Sequence, residues 1–225
     1  MANTETTINA VIHPQLNETL IDIEKTIKAL ERNKFVVHYF ETGAEAVAYL
    51  KNRIQNKCVA IGDSRTLLEI GIHDALSEVN EDITDIQRPL PGESFRDTAL
   101  RTMGRDVFLT SVNALSQTGE MVNIDGTGNR VAASLFGSQE VFFVLGINKI
   151  TPDLASAIHR ARNVAAPLNS KKNKKSSLNP CATLDEKCYD CGSPDRICNA
   201  LTIYYKKMRN MQTMEIIIIN ESLGF

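Results

Sequence analysis

The sequence predicts an α/β protein with three layers, in which helices cover both faces of a largely parallel β-sheet. Two observations lead to this prediction. Short apolar segments typical of strands alternate with amphipathic segments typical of helices over most of the 225 residues. In addition, residues 140–147 (EVFFVLGI) are apolar on both alternating faces, as expected for a central strand that is covered on each side.

The first 71 residues predict a helix–strand–helix–strand–helix pattern. Helices are predicted where apolar residues recur at spacings of three and four, and strands where short apolar runs end at polar residues or glycine. A Thr followed three residues later by Glu predicts a helix start, because each side chain can bond the other's backbone N–H. In chain order, the predicted elements are a helix from Leu16 to Leu30, a strand at 35–40, a helix capped by Thr42 and Glu45, a strand at 58–62, and a helix from Thr66 (with Glu69 as its capping partner) to Gly71.

A loop and a second series of strands and helices follow. Residues 80–92 have no apolar period and contain two prolines, which predicts a loop and a candidate lid. The remaining predicted elements are a helix at 94–104, strands at 106–111 and 120–125, a helix at 129–137, the central strand at 140–147, a helix with Thr151 as N-cap and Pro152 at its first position, a cysteine-rich loop, a helix from about Ile197 to Met208, and a last strand at 214–219.

Composition and charge exclude several classes of protein. With 43% hydrophobic and 23% charged residues, the chain is typical of one globular domain spanning residues 1–225. A net charge of −2 argues against a nucleic-acid partner, and the basic cluster at 171–175 (KKNKK) is typical of a solvated loop. The first residues resemble no signal peptide, and the longest apolar runs are too short to span a bilayer. We therefore expect a cytoplasmic protein without a membrane span.

Polar side chains follow four of the predicted strands. Because the carboxyl ends of parallel strands meet at one edge of a sheet, we expect these residues to lie close together. Glycines, hydroxyls, amides and cations in one place suit a carboxylate or a phosphate. The candidate binding residues for such a small anionic metabolite are Ser64, Arg65, Ser111, Asn113, Gly126, Gly128, Asn129, Arg130 and Asn148.

Residues 123–130 (NIDGTGNR) are the most specific part of this predicted site. Two glycines separated by one residue let the backbone approach a ligand, and Arg130 could hold a carboxylate through two parallel hydrogen bonds. The alternative is that Asp125 and Asn129 only cap a turn that the glycines shape. The segment is not a dinucleotide fingerprint, because Val131 stands where the third glycine would be.

Three residues near these strand ends are candidate catalytic groups. Asp125 and Glu120 could act as acid or base, and Lys149 could act as an electrophile or hold an anion. For Glu120, a solvated carboxylate at a turn is the simpler alternative. The four histidines lie far apart with no metal-ligand spacing.

Four of the five cysteines lie within residues 178–200, in a C-x6-C-x2-C-x6-C pattern. Four thiolates suit tetrahedral zinc or an iron–sulfur cluster, and the spacing alone does not decide between the two. A reducing cytoplasm disfavours disulfides, so the remaining alternative is free or redox-paired thiols. The candidate metal ligands are Cys181, Cys188, Cys191 and Cys198.

Several segments together resemble a known family. Residues 61–72, 108–137, 141–150 and 179–199 are similar to the LUD-domain family of lactate-utilisation proteins, in the short form that ends in a cysteine-rich loop, and the resemblance runs from about residue 16 to the end. It implies a fold similar to ribose-5-phosphate isomerase, glucosamine-6-phosphate deaminase and CoA transferases. Asp63 departs from the family pattern where a second glycine is expected, and the first cysteine spacing is one residue longer.

The resemblance also implies a function. It points to a role in the oxidation of L-lactate to pyruvate, in which related proteins act in a complex with iron–sulfur partner proteins. Two alternatives stay open. One is a stand-alone isomerase, deaminase or acyl-transferase that acts on a phosphorylated or carboxylated substrate, and the other is a non-enzymatic binding or regulatory module stabilised by metal.

Overall fold

A computed structural model describes residues 21–173, 176–185 and 187–225 of the protein. The strands are β1 (Val36–Phe40), β2 (Cys58–Ile61), β3 (Asp82–Asp85), β4 (Val107–Thr110), β5 (Ala114–Ser116), β6 (Met121–Asp125), β7 (Glu140–Gly146), β8 (Ile150–Thr151), β9 (Ala200–Tyr204) and β10 (Thr213–Ile219). The helices are α1 (Ile23–Arg32), α2 (Gly43–Arg53), α3 (Arg65–Glu69), α4 (Ile72–Ser77), α5 (Phe95–Arg101), α6 (Asn129–Leu135), α7 (Leu154–Arg160), α8 (Ala166–Lys172) and α9 (Pro180–Thr183).

The main sheet has six strands in the order β1-β10-β7-β4-β2-β3, and all its pairings are parallel. Strand β7 lies between β10 and β4 and is buried along its whole length, which confirms residues 140–147 as a central strand. Phe143 and Leu145 pack in one apolar core, whereas Phe142 and Val144 pack in another. Because side chains alternate across a strand, the two cores lie on opposite faces of the sheet. The predicted α/β fold with helices on both faces is therefore confirmed.

The predicted helix starts are confirmed in part. Thr42 and Glu45 form the expected capping box of α2, and α1 is capped by Asp22. Leu16 and Leu20, the first residues of the predicted first helix, lie outside the described residues. Within the described part of the chain, no helix is both long enough and apolar enough to cross a membrane.

Two predicted N-caps are wrong. Ser64 caps α3 by accepting the Leu67 N–H at 3.2 Å, and Thr66 lies inside the helix, where its hydroxyl bonds partners distant in sequence. Thr151 does not cap α7, because it belongs to β8, where its backbone pairs with Ser116 of β5. Asp153 is the N-cap of α7 instead. In both cases the predicted cap lies two residues from the true one. The predicted residue instead contacts a distant part of the fold, through its side chain in Thr66 and through its backbone in Thr151.

Two predicted segments have a different secondary structure. Residues 80–92, predicted as a loop, contain β3, the edge strand that pairs with β2. The predicted helix from Ile197 to Met208 contains instead the strand β9, which pairs with β6. Both strands lie at a sheet edge, where backbone pairing compensates for a weak apolar pattern.

A second sheet has four strands in the order β8-β5-β6-β9. Strand β6 runs antiparallel to β5 and to β9, so residues 120–125 do not belong to the main parallel sheet as the strand-end argument assumed. Val122 and Ile124 of this sheet pack against Ala157 of α7 and Ala161. Helix α7, a π-helical turn at Ala161–Ala165 and α8 follow one another without a break.

Two buried glutamates share one arginine near the amino ends of β7 and β10. Glu140 and Glu215 are 5% and 3% exposed, and the Arg53 guanidinium contacts both carboxylates, with its Nη2 3.0 Å from Glu215 Oε1. The Tyr49 hydroxyl also donates to Glu215 at 2.8 Å. Burial alone would lower the pKa of Arg53, but its hydrogen bonds and ion pairs with both carboxylates outweigh burial and raise it. Arg53 is thus the main cation that neutralises this buried pair.

Candidate functional site

A cavity of about 200 Å³ lies where the loops after β2, β4 and β7 meet the end of β6. These loops come from the main sheet, whereas β6 comes from the smaller one, so the cavity lies between the two sheets. Most of the predicted site residues line it, although they come from four separate segments. They are Ser64, Arg65, Ser111, Asn113, Asp125, Gly126, Asn129, Arg130 and Lys149.

Three predicted residues do not line this cavity. Glu120 precedes β6, at the end of that strand away from the cavity, and accepts a hydrogen bond from the Thr118 hydroxyl. Gly128 begins α6 with a φ of 83° and donates its N–H to Asp125. Asn148 uses its side-chain oxygen to accept the Leu223 N–H at 3.1 Å. These contacts give Gly128 and Asn148 a part in the shape of the loops.

Lys149 is a buried lysine of the cavity wall. Its side chain follows β7 on a short 3-10 turn (Ile147–Lys149), and the residue is 4% exposed. The Nζ atom donates to Thr66 Oγ1 at 2.8 Å and to Ser111 Oγ at 3.0 Å. Burial lowers the pKa of Lys149 to about 7, with smaller contributions from the positive charges of Arg160 and Arg130. A substantial fraction of this amine is therefore unprotonated at neutral pH.

Close backbone packing fixes the position of the turn that carries Lys149. A Cβ atom on Gly146 would lie 2.7 Å from the Leu223 backbone nitrogen and even closer to the Glu221 carbonyl oxygen. Only glycine allows this approach between the end of β7 and the segment after β10. The Ile147 N–H then donates to the Glu221 carbonyl at 3.1 Å, which holds the turn against that segment.

Arg130 is the second cation of the cavity wall. Its Nη2 donates to the Ile124 carbonyl at 2.6 Å and to Asn113 Oδ1 at 3.2 Å, and its Nε lies 3.5 Å from Asp125 Oδ2. These contacts fix the guanidinium plane at the end of β6. Nη1 has no hydrogen-bond partner within residues 21–173, 176–185 and 187–225, so it can donate to a bound anion.

Asp125 closes the turn between β6 and α6. One carboxylate oxygen accepts the N–H groups of Thr127 and Gly128 at 3.2 and 3.0 Å, and the other accepts the Val131 N–H at 3.3 Å. The capping alternative considered for Asp125 thus describes its main contacts. Gly126 is packed against Ile197, whose Cα would lie 3.1 Å from a Cβ atom at that position.

The sequence did not indicate two polar residues that shape this site. Thr66 is fully buried and accepts a hydrogen bond from Lys149, although its spacing to Glu69 matched a capping box. Arg160 donates to the Asn113 carbonyl and, at 3.0 Å, to the Asn148 carbonyl, so it joins two of the loops. Burial lowers the pKa of Arg160 to about 10. No sequence signal pointed to Arg160. For Thr66, the Ser64 hydroxyl two residues earlier could have been recognised as the true N-cap, which would have left Thr66 available for another contact.

The four candidate metal ligands line a second, smaller cavity of about 20 Å³. It shares Ala166 and Ile197 with the first cavity. Arg162 and Arg196 also line it, and Cys188 Sγ accepts from Arg162 Nη2 at 3.6 Å and from the Asp190 N–H at 3.4 Å. The cysteines involved, all free thiols, are Cys181, Cys188, Cys191 and Cys198.

At this second cavity the types of residue suit a metal, but their arrangement does not. Two arginines and a backbone N–H beside sulfur suit thiolates, and the pKa of Arg162 is raised chiefly by its hydrogen bond to Cys188. Four cysteines are also a donor set that zinc and iron–sulfur clusters use. In the described part of the chain, however, no three Cys, His, Asp or Glu side chains are arranged so that they could hold one metal ion. Metal binding therefore stays a prediction.

The comparisons with known proteins agree with this fold. A family model described as the LUD domain matches residues 23–219. The fold is similar to the crystal structure of a DUF162 family protein from Deinococcus radiodurans, with a TM-score of 0.51 and 14% identity over 87% of this chain and 94% of that chain. At that identity the likeness supports the fold alone. No curated protein matches the chain.

Proposed function

The chain belongs to the LUD-domain family, and on that premise we propose that its larger cavity binds a small carboxylate metabolite, such as lactate or pyruvate, in lactate utilisation. One observation carries the proposal: Arg130 and Lys149 line the same cavity, together with hydroxyl and amide groups. Cations and short polar side chains are the groups that recognise a carboxylate in proteins.

The size of the cavity supports a small ligand. Pockets for drug-sized ligands measure about 300–1,000 Å³, whereas this cavity measures about 200 Å³. A three-carbon acid is therefore favoured over an acyl-CoA or a dinucleotide. Within such a site Arg130 would hold the carboxylate, Asp125 would keep the turn and Arg130 in place, and Ser111 and Lys149 would contact the rest of the ligand.

Replacement of Arg130 tests the site. We expect Arg130→Gln to weaken pyruvate or lactate binding at least about tenfold, because a charge-assisted hydrogen bond contributes about 1.5–3 kcal/mol. Isothermal titration calorimetry with pyruvate, L-lactate and inorganic phosphate measures the effect. Arg88→Gln is the matched control, because Arg88 pairs with Asp74 at the surface and does not line this cavity.

The same titrations, with ribose 5-phosphate as a further ligand, separate the alternatives. Unchanged affinity of the Arg130→Gln variant, with the fold intact, would contradict the carboxylate site. Binding of ribose 5-phosphate without binding of either three-carbon acid would favour a stand-alone isomerase or deaminase instead. The absence of binding for all of these ligands would favour a non-enzymatic module.

We propose in addition that the four cysteines carry a zinc ion or an iron–sulfur cluster. The proposal is supported by their position around one small cavity and by the donors beside Cys188. The group would fasten the cysteine loop next to the carboxylate cavity, because metal affinity adds to folding free energy. The family resemblance alone is the ground for proposing that this chain acts together with iron–sulfur partner proteins.

Metal and sulfide analysis of anaerobically purified protein tests this second proposal. We expect about one zinc ion or one cluster per chain in the wild type, and its loss in Cys191→Ser. Cys58→Ser is the matched control, because Cys58 lies at the start of β2, outside the cysteine cavity, and should keep the metal. Metal-free protein whose melting temperature does not respond to added zinc would contradict it.

A further inference from the structure

Lys149 combines three properties that seldom occur together in a lysine. It is almost fully buried, it lines a cavity, and both of its hydrogen-bond acceptors are hydroxyl groups. Burial lowers the pKa of Lys149 most, the positive charges of Arg160 and Arg130 lower it further, and the smaller effect of Glu69 opposes them. A structural lysine in a protein core would be expected to have a carboxylate partner.

We propose that Lys149 is a catalytic nucleophile that forms a reversible imine with the carbonyl carbon of a 2-oxo acid bound in this cavity. The inference rests on the proposed function, because it requires a carboxylate ligand in the same cavity. It adds the substrate class and a covalent step. A 2-oxo acid such as pyruvate carries the required carbonyl group next to its carboxylate, whereas a 2-hydroxy acid such as lactate does not.

The step balances without an oxidant or a cofactor. The lone pair of the unprotonated amine forms a bond to the carbonyl carbon, the nitrogen gives up one proton, and the carbonyl oxygen takes one to give a carbinolamine. The nitrogen then gives up its second proton, the carbon–oxygen bond breaks, the oxygen leaves as water after taking a second proton, and a carbon–nitrogen double bond remains. Addition of water reverses the step and returns the free amine and the 2-oxo acid.

The surroundings of the amine suit this chemistry. Thr66 and Ser111 accept hydrogen bonds from two of its N–H groups, which orients the nitrogen. Unlike a carboxylate, these neutral hydroxyl groups do not strongly stabilise the charged ammonium form. The lowered pKa, about 7, leaves unprotonated amine available at neutral pH. With Arg130 holding the carboxylate, the neighbouring carbonyl carbon would lie in the same small cavity as Lys149.

Reductive trapping tests the proposal. The protein is incubated with pyruvate and sodium borohydride, and the intact mass and peptide masses are measured. We expect one adduct per chain, located on Lys149, and faster trapping as the pH rises from about 6 to about 8, because more amine is unprotonated. Lactate with borohydride should give no adduct. Lys149→Arg should lose the adduct, whereas Lys28→Met, which changes an exposed lysine of α1 outside this cavity, should keep it.

Each outcome is informative. Pyruvate binding by calorimetry without an adduct overturns the imine but leaves the carboxylate site intact. The absence of both binding and adduct overturns the proposed function as well. An adduct that persists in Lys149→Arg, or that forms on Lys172, overturns the assignment to Lys149. Thermal melting of each variant shows that a lost adduct is not due to unfolding.

Discussion

An Arg53→Ala variant is expected to lose about 3–5 kcal/mol of folding free energy, because the change leaves two buried carboxylates without the cation that they share. Glu140 and Glu215 are both nearly inaccessible to solvent and both contact the Arg53 guanidinium. They belong to the neighbouring strands β7 and β10 at the centre of the main sheet. Urea denaturation followed by circular dichroism measures the loss.

The matched control for this prediction is Arg88→Ala. Arg88 makes a two-point contact with Asp74, but both side chains are mainly exposed, so the expected loss is below about 1 kcal/mol. If the two variants lose the same amount, the buried pair does not depend on Arg53. In that case Lys57, 3.6 Å from Glu140, would be the cation to test next.

A Lys149→Met variant is expected to be more stable than the wild type at pH 6. This difference in stability should become smaller as the pH rises. The pKa of Lys149 in the folded chain is about 7, against 10.5 for an unperturbed lysine. Between these two values the unfolded chain binds the proton and the folded chain does not, so the stability of the wild type rises with pH. The destabilisation is fully present below about pH 7 and disappears as the pH approaches about 10.5.

The expected size of this effect follows from two opposing contributions. The pKa difference corresponds to roughly 4–5 kcal/mol of destabilisation in the wild type. Loss of two hydrogen bonds costs the variant about 1 kcal/mol each, which leaves a net gain of about 2 kcal/mol or more at low pH. Urea denaturation at several pH values measures it. Lys28→Met, on the exposed face of α1, should differ from the wild type by less than about 0.5 kcal/mol throughout.

The sequence predicts five of the six strands of the main sheet, including the edge strand β1, but it misses β3 and, in the smaller sheet, β9. Strand β7 and its neighbours are apolar because both faces of the sheet are covered, and that pattern is visible in the sequence. Strand β3 (Asp82–Asp85) has mostly polar residues, and β9 begins with two exposed residues, Ala200 and Leu201. Their secondary structure depends on pairing with β2 and β6, which a local pattern does not record.

The positions of some site residues follow from the local sequence, whereas those of others depend on distant parts of the chain. Ser64, Ser111 and Lys149 follow strands of the parallel sheet, and the strand-end rule explains their common position. Arg130 reaches the cavity by another route, because β6 belongs to the antiparallel part of the smaller sheet. Arg160 could not have been predicted, because its partner, the Asn113 carbonyl, lies 47 residues away and the contact exists only in the folded chain.

The π-helical turn at Ala161–Ala165 makes this site sensitive to chain length as well as to composition. A π turn holds one residue more than an α turn, so α8 is rotated by about 100° relative to an uninterrupted helix. That rotation brings Asn169 and Lys172 to the cavity wall and Ala166 between the two cavities. A single deletion in this segment would turn those side chains away while keeping the helix. An insertion or deletion here would therefore change which side chains line the cavity without any substitution in the cavity itself.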